Sequence, residues 1–180
     1  MTRWLLWILA GTLLGGIVHL ATVLALPRTA SQDAYARLSP ITPVNAFALI
    51  PEPTPQDAIL PFMDPAFAVA VCRYDLGKGP MKLSVPLSQA YTSVTFYTRY
   101  GVSYYGINDR AAGRRVIELD LMTTPQRDQL PEEEDVTAAD RLIIEAPTIT
   151  GLIVVRALSP ESGLMPMARA ALTRATCRTQ

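Results

Sequence analysis

The sequence predicts a mainly β protein: an antiparallel, jelly-roll-like β-sandwich with a C-terminal helix, preceded by one N-terminal transmembrane helix. Three observations carry this reading. The 23 residues from Trp4 to Leu26 are largely apolar and uncharged apart from His19. After Phe67, apolar residues alternate with polar ones in short runs separated by Gly, Pro and Asp turns. Near the end, Leu164, Ala168, Ala171, Leu172 and Ala175 recur at helical spacing. The predicted organisation is an anchor at 1–30, a proline-rich connector with one short strand at 31–64, and a β-sandwich with its helix at 65–180.

The first segment is long enough to cross a hydrocarbon core of about 30 Å at about 1.5 Å per residue. The competing reading is a cleaved signal peptide, with Val23 and Ala25 as the small residues before a cut. The length of the run favours a retained anchor, since a cleavable apolar core is usually about 7–15 residues. Trp4 and Trp7 stand where interfacial aromatics belong. Gly11, Gly15 and Gly16 form a small-residue face that suits helix packing, although glycine is also simply common in spans. Flanking charges are nearly balanced, with Arg3 before the span and Arg28, Asp33 and Arg37 after it. The very short amino-terminal tail favours a cytoplasmic amino terminus. The domain would then lie outside the cytoplasm.

The connector holds prolines at 27, 40, 43, 51, 53, 55, 61 and 65 and lacks helical periodicity, so it reads as a segment hugging the domain. Ala46–Ile50 fits a strand between two of these prolines. Phe67–Tyr74 follows as a strand, then the turn cluster Asp75–Pro80, then a strand at Met81–Val85. Tyr91–Tyr100 alternates, Val94 and Phe96 opposing Ser93, Thr95, Tyr97 and Arg99. Gly101 interrupts it, and Ser103–Ile107 makes the hairpin partner. Val116–Met122 alternates again, Arg141–Glu145 follows, and Leu152–Leu158 is a continuous run suited to burial on both faces. The closing helix carries Arg169, Arg174 and Arg178 toward its carboxy end, where they suit its dipole.

Composition excludes several function classes. Of the 16 basic residues, Arg3 and Arg28 precede position 31, leaving 14 against 16 acidic ones, a net charge of −2. That is no footprint for nucleic acid. The sole histidine is His19, inside the span, so histidine-dependent catalysis and histidine zinc ligation in the external domain are excluded. In the span His19 reads as a weakly polar residue near the far interface or as a functional polar group. Cys72 and Cys177 are the two cysteines; an oxidising compartment lets them pair, the alternative being two buried thiols. No cofactor and no metal site is expected.

Two constellations carry chemistry. Tyr97, Arg99, Tyr100, Tyr104, Tyr105, Asn108, Asp109 and Arg110 interleave aromatics with charges, a pattern that stacks on and hydrogen-bonds a sugar, an anion or a peptide. The same residues also fit an exposed sheet face backed by an Asn-Asp turn. Asp109 or Glu118 is a candidate acid-base group if this face processes a small molecule or glycan. Glu132, Glu133, Glu134 and Asp135, with Asp140, could meet calcium, but the run lacks the spaced ligands and turn glycine of a dedicated loop and reads as solvated.

The segments Phe62–Phe67, Cys72–Leu76, Ala90–Val94 with Tyr97, and above all Tyr105–Gly113 resemble the family called domain of unknown function 1254, in its short, membrane-anchored proteobacterial form. The resemblance implies an exported β-sandwich with no established catalytic residues, and with the span it places the chain in a bacterial inner membrane, crossed once, with the C-terminal domain in the periplasm. It also implies a companion, because longer members join this domain to one of the type called domain of unknown function 1214. For this chain the expected partner is a separate membrane-anchored protein of that type. An interaction role through Tyr97, Arg99, Tyr104, Tyr105, Asn108, Asp109 and Arg110 therefore stands ahead of catalysis.

Overall fold

A computed structural model describes residues 2–30, 33–112, 115–130 and 142–180. The chain divides into two units, Met1–Asp33 and Ala34–Gln180. The first is built on α1, Thr2–Thr29, a 28-residue helix with no buried residue, long and apolar enough to cross a membrane. The hydroxyls of Thr12 and Thr22 donate to the carbonyls of Ile8 and Val18 one turn back. Polar groups satisfied inside the helix are what a span without water requires.

The second unit starts with the short helix α2, Ala34–Leu38, and is built mainly of two facing sheets. One sheet holds β1 (Phe47–Leu49), β2 (Phe67–Asp75), β4 (Thr92–Thr98), β5 (Ser103–Asn108) and β8 (Thr150–Leu158). Its order is β1-β2-β8-β4-β5, antiparallel throughout. The other holds β3 (Met81–Pro86), β6 (Val116–Met122), β7 (Leu142–Glu145) and β9 (Thr176–Thr179), in the order β7-β6-β3-β9. Its β6–β7 pair is parallel and the rest antiparallel. The mainly β sandwich is thus observed.

Period-two alternation sets the core. Ala70, Cys72 and Tyr74 of β2, Val94 and Phe96 of β4, and Ile153 and Val155 of β8 face Met81, Leu83 and Val85 of β3 and Ile117, Leu119 and Leu121 of β6. Each such large apolar side chain contributes about 1.5–3 kcal/mol by leaving water. Cys72 and Cys177 form a disulfide across a sequence separation of 105, tying β2 of one sheet to β9 of the other.

Two elements differ from the sequence reading. After the single turns α3 (Asp109–Ala112) and α4 (Thr124–Arg127), the C-terminal helix, α5, spans Met165–Leu172, burying Met165, Ala168, Ala171 and Leu172. Ala175 is buried as expected of the apolar stripe, but the chain there turns into β9, which pairs with β3. The Tyr91–Tyr100 run narrows to β4, because its last residues form the turn around Gly101, whose φ of 79° suits glycine.

The proline-rich segment is a packed layer. Leu38 and Ile50 are buried with Val71 and Leu152 on the outer face of the larger sheet, joined by Tyr35, Ile59, Leu60, Met63 and Tyr97. This second, smaller core lies on the side of β2 and β8 away from the disulfide.

Candidate functional site

The tyrosines of the predicted face separate onto different sides of the sheet. Tyr97 belongs to the outer layer beside Tyr35 and Leu152. Tyr104 and Tyr105 instead pack against the main core, their rings 6.1 and 5.9 Å from that of Phe96. A register shift between Phe96 and Tyr97 in the β4–β5 pairing brings two consecutive side chains against the core.

Inside, the phenols of Tyr74 and Tyr104 meet at 3.2 Å, Tyr104 donating. Tyr74 donates to the Tyr97 carbonyl at 3.3 Å, and its oxygen lies 3.4 Å from the Thr148 hydroxyl. Burial is the main reason that both phenols ionise above the usual tyrosine range. For Tyr104 the neighbouring Tyr74 raises it further. These are neutral structural hydrogen-bonding groups.

Arg99 lies with its guanidinium 4.2 Å from the centre of the Tyr35 ring, and Arg73 with its own at 5.4 Å. Arg73 also donates to the Thr42 carbonyl at 2.9 Å and the Ser39 hydroxyl at 3.0 Å. Both arginines grip α2 and the loop after it. Tyr35 was not singled out by the sequence, and Arg73 stood there only within the Phe67–Tyr74 strand and the Cys72–Leu76 segment, with no contact expected of it.

Asn108 ends β5, and Asp109 and Arg110 open the turn that follows it. The Asn108 side-chain oxygen accepts from the backbone N–H groups of Arg110 and Ala111 at 3.1 and 3.2 Å, capping the single turn α3, Asp109–Ala112. One carboxylate oxygen of Asp109 is buried without a hydrogen-bond partner among the described residues. Arg110 is exposed. β5 ends its sheet, so its outer edge pairs with no strand among the described residues.

A further exposed feature is Phe62. It is fully exposed at a φ of 59°, a conformation that costs a bulky residue energy. It borders a groove of about 220 Å³ formed with Leu60, Met63, Phe67 and Val69. A second groove of about 130 Å³ runs beside α5 between Leu87 and Arg174. Both are smaller than the about 300–1,000 Å³ usual for small-molecule sites. Glu118 is exposed on β6, opposite Ser84. Among the described residues no group of three or more His, Cys, Asp or Glu is placed to hold a metal. Glu132, Glu133, Glu134, Asp135 and Asp140 lie outside the described residues.

Residues 44–179 match the family described as "Protein of unknown function (DUF1254)", from the Val44 bridge beside β2 through the whole of β9. The chain belongs to the DUF1254 family. No curated protein matches it. Among solved structures it is similar to the VPA0106 protein from Vibrio parahaemolyticus, at 13% identity and a TM-score of 0.57 over 76% of this chain. It is also similar to an uncharacterized protein from Burkholderia cenocepacia, at 14% identity and a TM-score of 0.42 over 86% of this chain. The chain spans 30% of the Vibrio structure and 48% of the Burkholderia one. The Vibrio likeness shows that the DUF1254 sandwich is a shared fold.

Proposed function

We propose that this DUF1254 chain is a membrane-anchored subunit of the bacterial cell envelope whose sandwich docks a companion β-sandwich protein of the domain-of-unknown-function 1214 type. α1 is the retained anchor in the inner membrane, with the amino terminus in the cytoplasm and the sandwich in the periplasm. The length of α1 supports the anchor. The Cys72–Cys177 disulfide suits an oxidising compartment.

The observation that carries docking is the β5 edge. An unpaired edge strand is a ready template for another chain. It runs directly into the Asn108-capped turn, where Asp109 buries an acceptor oxygen that has no donor among the described residues. A companion that supplies a donor there and covers the edge satisfies both. The greater length of the Vibrio structure, of which this fold is only a part, is in keeping with a sandwich that works beside further chain.

The alternative is a small-molecule or glycan module using the tyrosine and arginine face. It draws less support, since Tyr104 and Tyr105 pack inward and Arg99 lies over Tyr35. The test is recovery of the tagged chain from detergent-solubilised membranes. Co-purification of a second anchored sandwich protein is the expected result; recovery of the chain alone, fully folded, overturns docking.

A further inference from the structure

Phe62 stands beside a groove that would hold a ring like its own. Leu60 and Met63, on either side of it, pack into the outer core on β2 and β8. The turn between them is thereby pinned, and its tip, Phe62, takes a φ of 59° with its side chain fully exposed. Such strain on a bulky residue persists only where its surroundings enforce it. The ring therefore does not fill the groove it borders.

That groove has a volume of about 220 Å³ and walls of Leu60, Met63, Phe67, Val69 and Val154. An apolar cavity of about 150 Å³ already admits benzene, so a phenyl ring fits here although a usual small-molecule ligand does not. Among the described residues, the charged groups lining it are Asp64 and Arg156, one of each sign. Asp64 accepts from the Ala66 N–H at 2.9 Å, and neither residue has an ion-pair partner among the described residues. Knob, hole, anion and cation thus share one patch. A patch that carries both halves of a contact is self-complementary, as a two-fold pair requires.

We infer that a second copy of this chain docks on this patch. The Phe62 ring of each copy enters the groove of the other, and Asp64 of each pairs with Arg156 of the other. Charge complementarity selects this occupant, because an apolar ligand or a singly charged one leaves Asp64 or Arg156 unanswered. Each ring buries about 150–250 Å². With the groove walls the contact belongs to the small, reversible class below about 1,200 Å². The strands beneath the groove are β2 and β8, whereas β5 lies beyond β4, so pairing of two copies stands independently of a companion on the β5 edge.

The test is sedimentation equilibrium of the purified full chain in density-matched detergent, where a reversible dimer is expected. Phe62→Ala is expected to weaken it at least about thirtyfold, as for a buried aromatic anchor. Asp64→Arg and Arg156→Asp should each weaken self-association about tenfold, because each sets like charges together at both ends of the contact. Mixed in equal amounts, these two variants should form a heterodimer of near wild-type affinity, since that pairing restores both ion pairs. No folding defect reproduces such a rescue. A wild type that stays monomeric at the highest concentration reached overturns the inference. A dimer unchanged in Phe62→Ala lies on another surface, α1 included, and overturns it too. Failure of the mixture to recover, with both charge variants melting as wild type, overturns the two-fold arrangement; where either melts early, Phe62→Ala decides alone. A monomeric wild type whose capture of a companion is lost in Phe62→Ala puts that companion in the groove and likewise overturns pairing between copies.

Discussion

The phenol of Tyr74 occupies the space that a side chain on Gly151 would need. The two residues are register partners in β2 and β8, and a methyl group at Gly151 would overlap both the Tyr74 phenol and the Tyr97 carbonyl. Gly151→Ala is expected to cost about 3 kcal/mol, the upper range for overpacking. A lowered urea midpoint checks this, and Gly151→Ala combined with Tyr74→Ala should recover part of the clash while losing the ring's burial.

Tyr74 and Tyr104 give the fold an alkaline limit. Their folded pKa values lie above the unfolded value near 10, so the folded state holds protons that the unfolded state releases. Stability from this source is fully present below about pH 10 and falls as pH rises further, at a slope of at most about 1.4 kcal/mol per pH unit for each phenol that stays protonated in the fold. Urea titrations from pH 8 to about 11 should be flat and then decline, and the Tyr74→Phe, Tyr104→Phe pair should remove that decline. An unchanged slope in the double variant would show that other groups set the limit.

The disulfide is expected to contribute about 4–5 kcal/mol by the chain-entropy model, given its long loop. The Cys72→Ala, Cys177→Ala variant should show that loss in denaturant unfolding. Thiol labelling of the native chain without reductant should find neither cysteine reactive.

At the β5 turn the two neighbouring residues should behave oppositely. Asn108→Ala removes the cap of α3 and should cost about 1 kcal/mol. Asp109→Ala removes a buried oxygen without a partner among the described residues and should leave the isolated chain nearly unchanged in melting temperature while weakening companion binding. Arg110→Lys keeps the charge but loses the planar fork, so it should weaken companion binding with little change in melting temperature. Equal companion affinity for wild type and Arg110→Lys removes Arg110 from the interface.

A periplasmic reporter fused after Gln180 should be active, and the mature chain should begin at or beside Met1. A mature amino terminus near Leu26 or Ser31 would remove the anchor.

The strands were legible where one face is wet and the other dry, as in Val94 and Phe96 against Ser93 and Thr95. β9 was not, because Thr176–Thr179 is too short to show a period and is a strand only through β3 and the disulfide. That the proline-rich segment hugs the domain was readable, but which of its residues make the outer layer was not, for a related reason. An irregular segment buries Leu38 and Ile50 and half-buries Leu60 wherever they reach the sheet, so no spacing announces it. At the candidate site the Asn-Asp turn was readable from residue type. The inward placement of both Tyr104 and Tyr105 depends on a one-residue register shift, which no alternation pattern encodes.

The stacking of Arg99 and Arg73 on Tyr35 has a mechanical consequence. Any tension transmitted along the chain from α1 reaches the sandwich at Ala34 and is borne first by the two guanidinium contacts and the Arg73 bonds to Ser39 and Thr42. The load is thereby divided between β2 and the end of β4, the two strands that flank β8, and is delivered to the middle of the sheet instead of peeling an edge. Tyr35→Ala should leave the core in place and turn that grip into a slack leash.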